Sequence, residues 1–286
     1  MKWVLSILFF GMLASASALS LEETETAVSA LHAKLAKIDN NEQGDSICDQ
    51  MRNLIIESFN EPTVFDYPFD KWQFCKIVSK DHRIRLINWN LPYIDGTHKY
   101  FCFVLVWNEK QKSFTWTELF DQQREIEKIE NKYLTSEKWF GSLYYEIIPM
   151  DKKGRGDTYT LLGWDGKDKL TTRKVIDAIT ILGNKLRFGA GIYLTDDGTR
   201  KRMILEYSDE VSASVKYHPK KEAIVIDHLS PKNPLMTGIY ADYGPDGSYD
   251  LLLLKKGKWE FIENVDISDF VNGNDKPFRD PRVRRK

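Results

Sequence analysis

The chain has 286 residues, 41 basic against 42 acidic side chains and a formal net charge of −1, with 42% hydrophobic and 13% aromatic residues. That balance excludes the bulk electrostatic attraction behind sequence-independent nucleic-acid binding, and equally a general affinity for anionic lipid. The length suits one large or two modest domains with ample apolar content for a core.

Residues 1–18, MKWVLSILFFGMLASASA, read as a secretory signal peptide, with Lys2 ahead of an apolar run from Trp3 to Ala14 and small residues at Ala14, Ala16 and Ala18. The run is shorter than the roughly 20 apolar residues of a transmembrane anchor. A bacterial lipid anchor would need a cysteine just after cleavage, and Leu19-Ser20 stands there instead. No later segment approaches a membrane span, so the mature chain is expected to be exported and soluble, either periplasmic or secreted.

Residues 19–62 read as an N-terminal helical segment. In the first helix Val28, Leu31, Leu35 and Ile38 recur at three and four, with acidic residues in the first turn. A second helix over 46–59 carries Ile47, Met51, Leu54 and Ile55 on one side, and 40–44 separates the two. Residues 63–265 then form an antiparallel β-rich domain. Its expected strands are 72–78, 83–89, 100–107, 114–119, 143–148, 158–164, 185–193, 200–207, 211–218, 223–229, 238–243, 249–254 and 258–263.

One helix is expected inside this domain over 121–134, with Ile126, Ile129 and Tyr133 on one face, and 171–178 (TTRKVIDA) is a candidate helical turn. Asp-Gly pairs at 95–96, 165–166, 197–198 and 246–247 read as hairpin turns, because glycine accepts positive φ without steric penalty. Val211, Ala213, Val215 and Tyr217 alternate with polar neighbours, as in a sheet with one wet face. The fold class is therefore mainly β (α+β): an antiparallel β-meander, as a sandwich, barrel or propeller, with an N-terminal helical pair and one inserted helix. Residues 266–286 read as a flexible basic tail ending in Arg282, Arg284, Arg285 and Lys286.

Metalloprotease, nucleophile-elbow, phosphate-loop, dinucleotide and Cys-x-x-Cys signatures are absent. Cys48, Cys75 and Cys102 allow three buried thiols or one disulfide with a free thiol. No Asn-x-Ser/Thr acceptor occurs, which favours a bacterial envelope. The densest polar cluster holds Asp227, His228, Asp242, Asp246 and Asp250. A hairpin at 244–248 would bring Asp242 and Asp250 together as a Ca²⁺ or acid–base pair, against the plainer reading of turn and strand-end residues. Asp227 and His228, adjacent on one strand, are expected to face opposite ways, which makes His228 structural. Trp89, Trp107, Trp116, Trp139, Trp164 and Trp259 are either core or a sugar-stacking face.

The stretches TLLGWDG (160–166), RKVIDA (173–178), ILEYS (204–208), DHLSP (227–231) and YGPDGSYD (243–250) resemble a group of uncharacterised secreted proteins of Bacteroidota-type bacteria. The likeness spans residues 159–265 and implies an envelope location without assigning any functional residue. The expectation is an exported, non-catalytic accessory protein that binds an envelope protein or glycan, with no cofactor, no metal, no nucleic acid and no membrane span. The alternative is a hydrolase of envelope or dietary polymers that uses carboxylates brought together by the fold.

Overall fold

The computed structural model describes residues 19–151 and 157–266; the expected signal peptide and residues 267–286 of the expected tail lie outside them. Helix α1 (Leu21–Lys34) begins at a capping box. The Glu23 amide donates to Ser20 Oγ at 3.3 Å and the Ser20 amide to Glu23 Oε2 at 2.9 Å, satisfying N–H groups that the first turn leaves without helical partners. Helix α2 (Asn41–Ser58) starts earlier than residue 46, because Asn40 Oδ1 accepts from the Gln43 amide at 2.9 Å. Residues 40–44 are thus its cap and first turn. A Cβ on Gly44 would lie 2.8 Å from Leu91 Cδ1, so the glycine lets the helix sit close against the sheet.

Strands β1 (Cys75–Val78), β2 (Ile84–Pro92), β3 (His98–Asn108) and β4 (Ser113–Phe120) form a first sheet in simple antiparallel order. The second sheet contains β5 (Leu134–Thr135), β6 (Leu143–Pro149), β7 (Thr158–Asp165), β8 (Thr171–Leu182) and β9 (Lys185–Phe188), in the order β5-β9-β8-β7-β6. The third draws on β10 (Tyr193–Thr195) and β11 (Gly198–Arg200), while β12 (Met203–Ser208) returns to pair with β8. It is completed by β13 (Val215–His218), β14 (Ala223–Pro231), β15 (Tyr243–Lys255) and β16 (Lys258–Val265), in the order β11-β10-β16-β15-β14-β13. Among the described residues all pairings between these strands are antiparallel except β10 with β16, and no sheet closes into a barrel.

Side-chain parity explains how these sheets stack. Along β2 and β3, Ile84, Leu86, Tyr100, Cys102 and Val104 face the second sheet, whereas Ile87, Trp89, Phe101, Phe103 and Leu105 face the helices. The second sheet repeats the pattern. Leu161, Val175 and Ile179 meet the first sheet, and Ile148, Leu162 and Ile176 meet Val215, Ile224, Leu252 and Trp259 of the third. The result is four layers, one of helices and three of sheet. The middle strands are buried on both faces, so their apolar runs are nearly continuous rather than alternating.

The inserted helix over 121–134 is not formed. In its place are short 3₁₀ turns at Gln123–Glu125 and Ile129–Asn131, followed by β5. Lys128 takes φ +48°, and the Glu130 carbonyl accepts from the Lys201 and Arg202 amides rather than from a helical neighbour. Residues 171–178 are strand, paired with β7 on one edge and β12 on the other, as the β-branched Thr171, Thr172, Val175 and Ile176 favour. The expected strands 185–193 and 200–207 each break in two, and 238–243 is a 3₁₀ turn at Tyr240–Asp242. At its N-terminal end the 211–218 strand is irregular until Val215, because the Asp227 carboxylate takes the Ser214 amide at 2.8 Å.

Candidate functional site

The polar cluster singled out in the sequence is dispersed, with one exception. Asp246-Gly247 is a bulge inside β15, not a hairpin turn: Asp227 stands opposite Tyr249 and Leu229 opposite Pro245, so that 246–248 span the place of the single residue His228. Gly247 takes φ +94° there, and Asp246 Oδ1 accepts from the Ser248 amide at 2.9 Å. Asp242 therefore ends the 3₁₀ turn before β15, Asp250 lies beyond the bulge within β15, and the two do not form a carboxylate pair. Asp242 instead accepts from the Asn233 amide. Among the described residues no group of three or more His, Cys, Asp or Glu side chains is placed to hold a metal ion.

The exception is His228. It faces away from Asp227 but places Nδ1 2.9 Å from Asp250 Oδ1, and the same oxygen accepts from the Asn264 amide at 3.1 Å. The carboxylate orients the imidazole, and the pair ties β14 to β15 and β16 across the bulge. The six tryptophans divide unevenly. Trp89, Trp139, Trp164 and Trp259 are core, while Trp107 and Trp116 pack beside the helices, with Trp116 against Phe59 and still 41% exposed. No aromatic platform is assembled from these six side chains.

The cysteines are all free. Cys75 and Cys102 each stand opposite Asn88 on its two neighbouring strands, about 9–10 Å apart across two strand spacings, beyond a disulfide's Cα reach. Cys48 packs on the helical side of the first sheet. Burial pushes its thiol up to about 11 and raises Cys102 and Cys75 as well, so none is an activated nucleophile.

A polar concavity lies elsewhere, between the start of β3, the 123–130 loop, β8 and β12; a larger hollow of about 820 Å³ runs past His82, Arg83, Trp107 and Gln111. The polar concavity is an open cleft of about 700 Å³, walled by His98, the 123–130 loop, Lys167, Arg173 and Glu206. A smaller hollow of about 250 Å³ adjoins it, sharing His98, Gln123 and Arg124. Beneath the wall Asp165 is fully buried. Its carboxylate accepts from Tyr100 Oη at 2.9 Å, the Lys167 amide at 2.9 Å and Gln123 Nε2 at 2.6 Å, with Arg173 Nη1 at 3.5 Å. Burial raises the Asp165 carboxyl above its ordinary value and raises the neighbouring Tyr100 phenol well above its own. Asp121 is raised by burial too, and it accepts from the amides of Tyr100, Gln123 and Gly141.

Two glycines make this construction possible. A Cβ on Gly141 would meet the Asp121 carboxylate at 2.5 Å, and one on Gly166 would come within 2.4 Å of His98 Nε2. In front of Asp165, Glu206 accepts from Lys167 Nζ at 2.5 Å and Arg173 Nε at 2.8 Å. Burial works to raise the Glu206 carboxyl, but the two cations outweigh it and hold it below the usual range. The wall thus carries five basic side chains, Arg124, Lys128, Lys167, Arg173 and Arg200, against three carboxylates, Glu130, Asp168 and Glu206. Sequence reasoning treated Asp165-Gly166 as a turn signal. The burial of Asp165 and the closeness of Gly166 to His98 arise from residues more than 60 positions away, and local pattern carries no trace of them.

No helix among the described residues is long and apolar enough to cross a membrane. No family model, curated protein or solved structure matches the chain.

Proposed function

We propose that this is an exported, non-catalytic binding protein of a bacterial envelope whose cleft takes a hydroxylated, oxyanion-bearing ligand such as an acidic glycan. One observation carries the reading: Asp165, behind the cleft, is fully buried and already accepts three hydrogen bonds from the protein, while cations outnumber carboxylates on the open wall. A carboxylate has about four acceptor sites. Asp165 uses three of them on Tyr100, Lys167 and Gln123, faces Arg173 at 3.5 Å and is 0% exposed, out of reach of a substrate's proton. The polar wall, with Gln123 and Arg124 at the junction of two hollows, suits sugar hydroxyls and a carboxylate or phosphate.

Calorimetric titration of the mature chain with uronic-acid and neutral oligosaccharides tests this. Binding of the acidic series, weakened in Arg124→Glu/Lys128→Glu, is expected; equal or absent binding of both series overturns it. The hydrolase alternative is favoured by His228, which Asp250 orients as a general base would be oriented. Release of reducing ends from envelope polymers, abolished in His228→Ala, would establish that reading instead. Export predicts a mature N-terminus near Leu19, read by mass spectrometry of envelope fractions.

A further inference from the structure

The connection between β14 and β15 projects from the third sheet as a tip, and every residue from Lys232 to Tyr240 is exposed. Four are large and apolar: Leu235 at 89%, Ile239 at 53%, Tyr240 at 46% and Met236 at 40%. Scattered exposed hydrophobes are ordinary, but this many in one short loop is a patch. The tip is joined to the cleft. Tyr240 forms part of the cleft wall, and the 3₁₀ turn that contains it packs against β12, which contributes Ile204 and Glu206 to the same wall.

The backbone of this tip is closed on itself. From Asn233 to Ile239 each N–H has a partner within the loop or its neck: Asn233 donates to Asp242 Oδ2, Leu235 to Asn233 Oδ1, Met236 to the Asn233 carbonyl and Thr237 to the Pro234 carbonyl. The Gly238 amide donates to Tyr243 Oη and Ile239 to the Met236 carbonyl; Pro234 has no N–H, and the Thr237 hydroxyl donates to the Pro234 carbonyl. A loop bathed in water gains little from such complete pairing, since water serves each donor. At the poorly hydrated headgroup–acyl boundary an unpaired donor is costly, and internal pairing of the N–H groups lowers the cost of bringing this loop to that depth.

We propose that residues 232–242 are a membrane-docking tip that inserts its apolar side chains into a bilayer surface rich in anionic lipid, while the adjoining cationic cleft receives a lipid headgroup. This rests on the anion-binding reading of the cleft and adds that the anion is lipid-borne. The geometry divides the labour as an amphiphile requires. Leu235, Met236 and Ile239 meet the acyl boundary, and Arg124 and Lys128 on the cleft wall meet phosphate and hydroxyl groups. The near-neutral whole chain makes attraction local to this end rather than general.

The test uses the mature full-length chain, phosphatidylcholine vesicles with and without phosphatidylglycerol, and soluble glycerophosphoglycerol. Co-sedimentation with the phosphatidylglycerol vesicles is expected, reduced at least about tenfold in Leu235→Asp/Ile239→Asp, while that variant keeps wild-type affinity for glycerophosphoglycerol and an unchanged melting curve. Headgroup binding without vesicle binding overturns the tip and leaves the cleft reading intact; absence of both overturns both. Vesicle binding that survives the double variant, or that ignores phosphatidylglycerol, also overturns the proposal.

Discussion

The interface between the first two sheets and the far edge of the third handle polar groups in opposite ways. At the interface, charged and hydroxyl groups are taken out of water and paired with one another, with Arg202 Nη2 left over as a buried donor without a hydrogen-bond partner. Asp177 and Arg202 are both 0% exposed with Oδ2 and Nε 2.7 Å apart, Arg202 Nη1 donates to the Ile129 carbonyl, and Tyr193 Oη donates to the Asp177 carbonyl. At the edge, His228 is 23% exposed on a bulge, and the 232–240 loop offers apolar side chains to solvent. Buried pairs of the first kind specify one arrangement of strands and loops, because each unpaired member would carry its full desolvation penalty. The apolar side chains of the loop leave the fold nearly indifferent to their chemistry and are available to a partner.

Substitutions sharpen that contrast, and the largest effect belongs to the interface. Arg202→Met strands Asp177 without its partner and is expected to lower unfolding free energy by about 3–5 kcal/mol in urea; a loss below about 1 kcal/mol would dissolve the distinction between the regions. Gly166→Ala forces the His98 ring away and is expected to cost about 1–3 kcal/mol, with a weakened acidic ligand in calorimetry. His228→Ala removes one donor from Asp250 across the bulge, for about 1–2 kcal/mol.

A pH series separates the buried acids. Asp165 has a folded pKa above its unfolded one, so the native state binds the proton more tightly. Its contribution to stability is present below the unfolded value near 3.9 and is lost as pH rises through the folded value. Lowering the pH toward the unfolded value is therefore expected to raise the urea midpoint relative to Asp165→Asn, which lacks this titration. Glu206 has the reverse sign: its lowered pKa gives stability above the unfolded carboxylate range that is lost on further acidification. The smallest effect is at the third sheet's surface. Lys255, whose partner Glu260 is 44% exposed, should tolerate alanine within about 0.5 kcal/mol.

The helical pair and most strands were legible because their signals are local: apolar spacing in α1 and α2, and β-branched or aromatic runs in β2, β3 and β7. Where the reading failed, a distant group had taken over a local donor or acceptor. Ile126, Ile129 and Tyr133 have helical spacing, yet the Asp121 carboxylate is committed to Tyr100 and Gly141, and the Glu130 carbonyl to Lys201 and Arg202. At Asp246-Gly247 the dipeptide did take the positive φ it advertises, but β14 continues alongside, which converts a turn into a bulge. Of the five residues in the sequence cluster only His228 and Asp250 meet, and the cleft was invisible because its wall gathers residues 97 to 240.

The placement of β16 has a consequence for how the chain reaches its final state. The last strand lies in the interior of its sheet, hydrogen-bonded to β10 and β15, and its Trp259 donates to Thr160 Oγ1 at 2.8 Å across 99 residues. No partial chain short of residue 258 contains the wedge that joins β10 to β15, so the third layer acquires its long-range contacts only after β16 has entered the sheet.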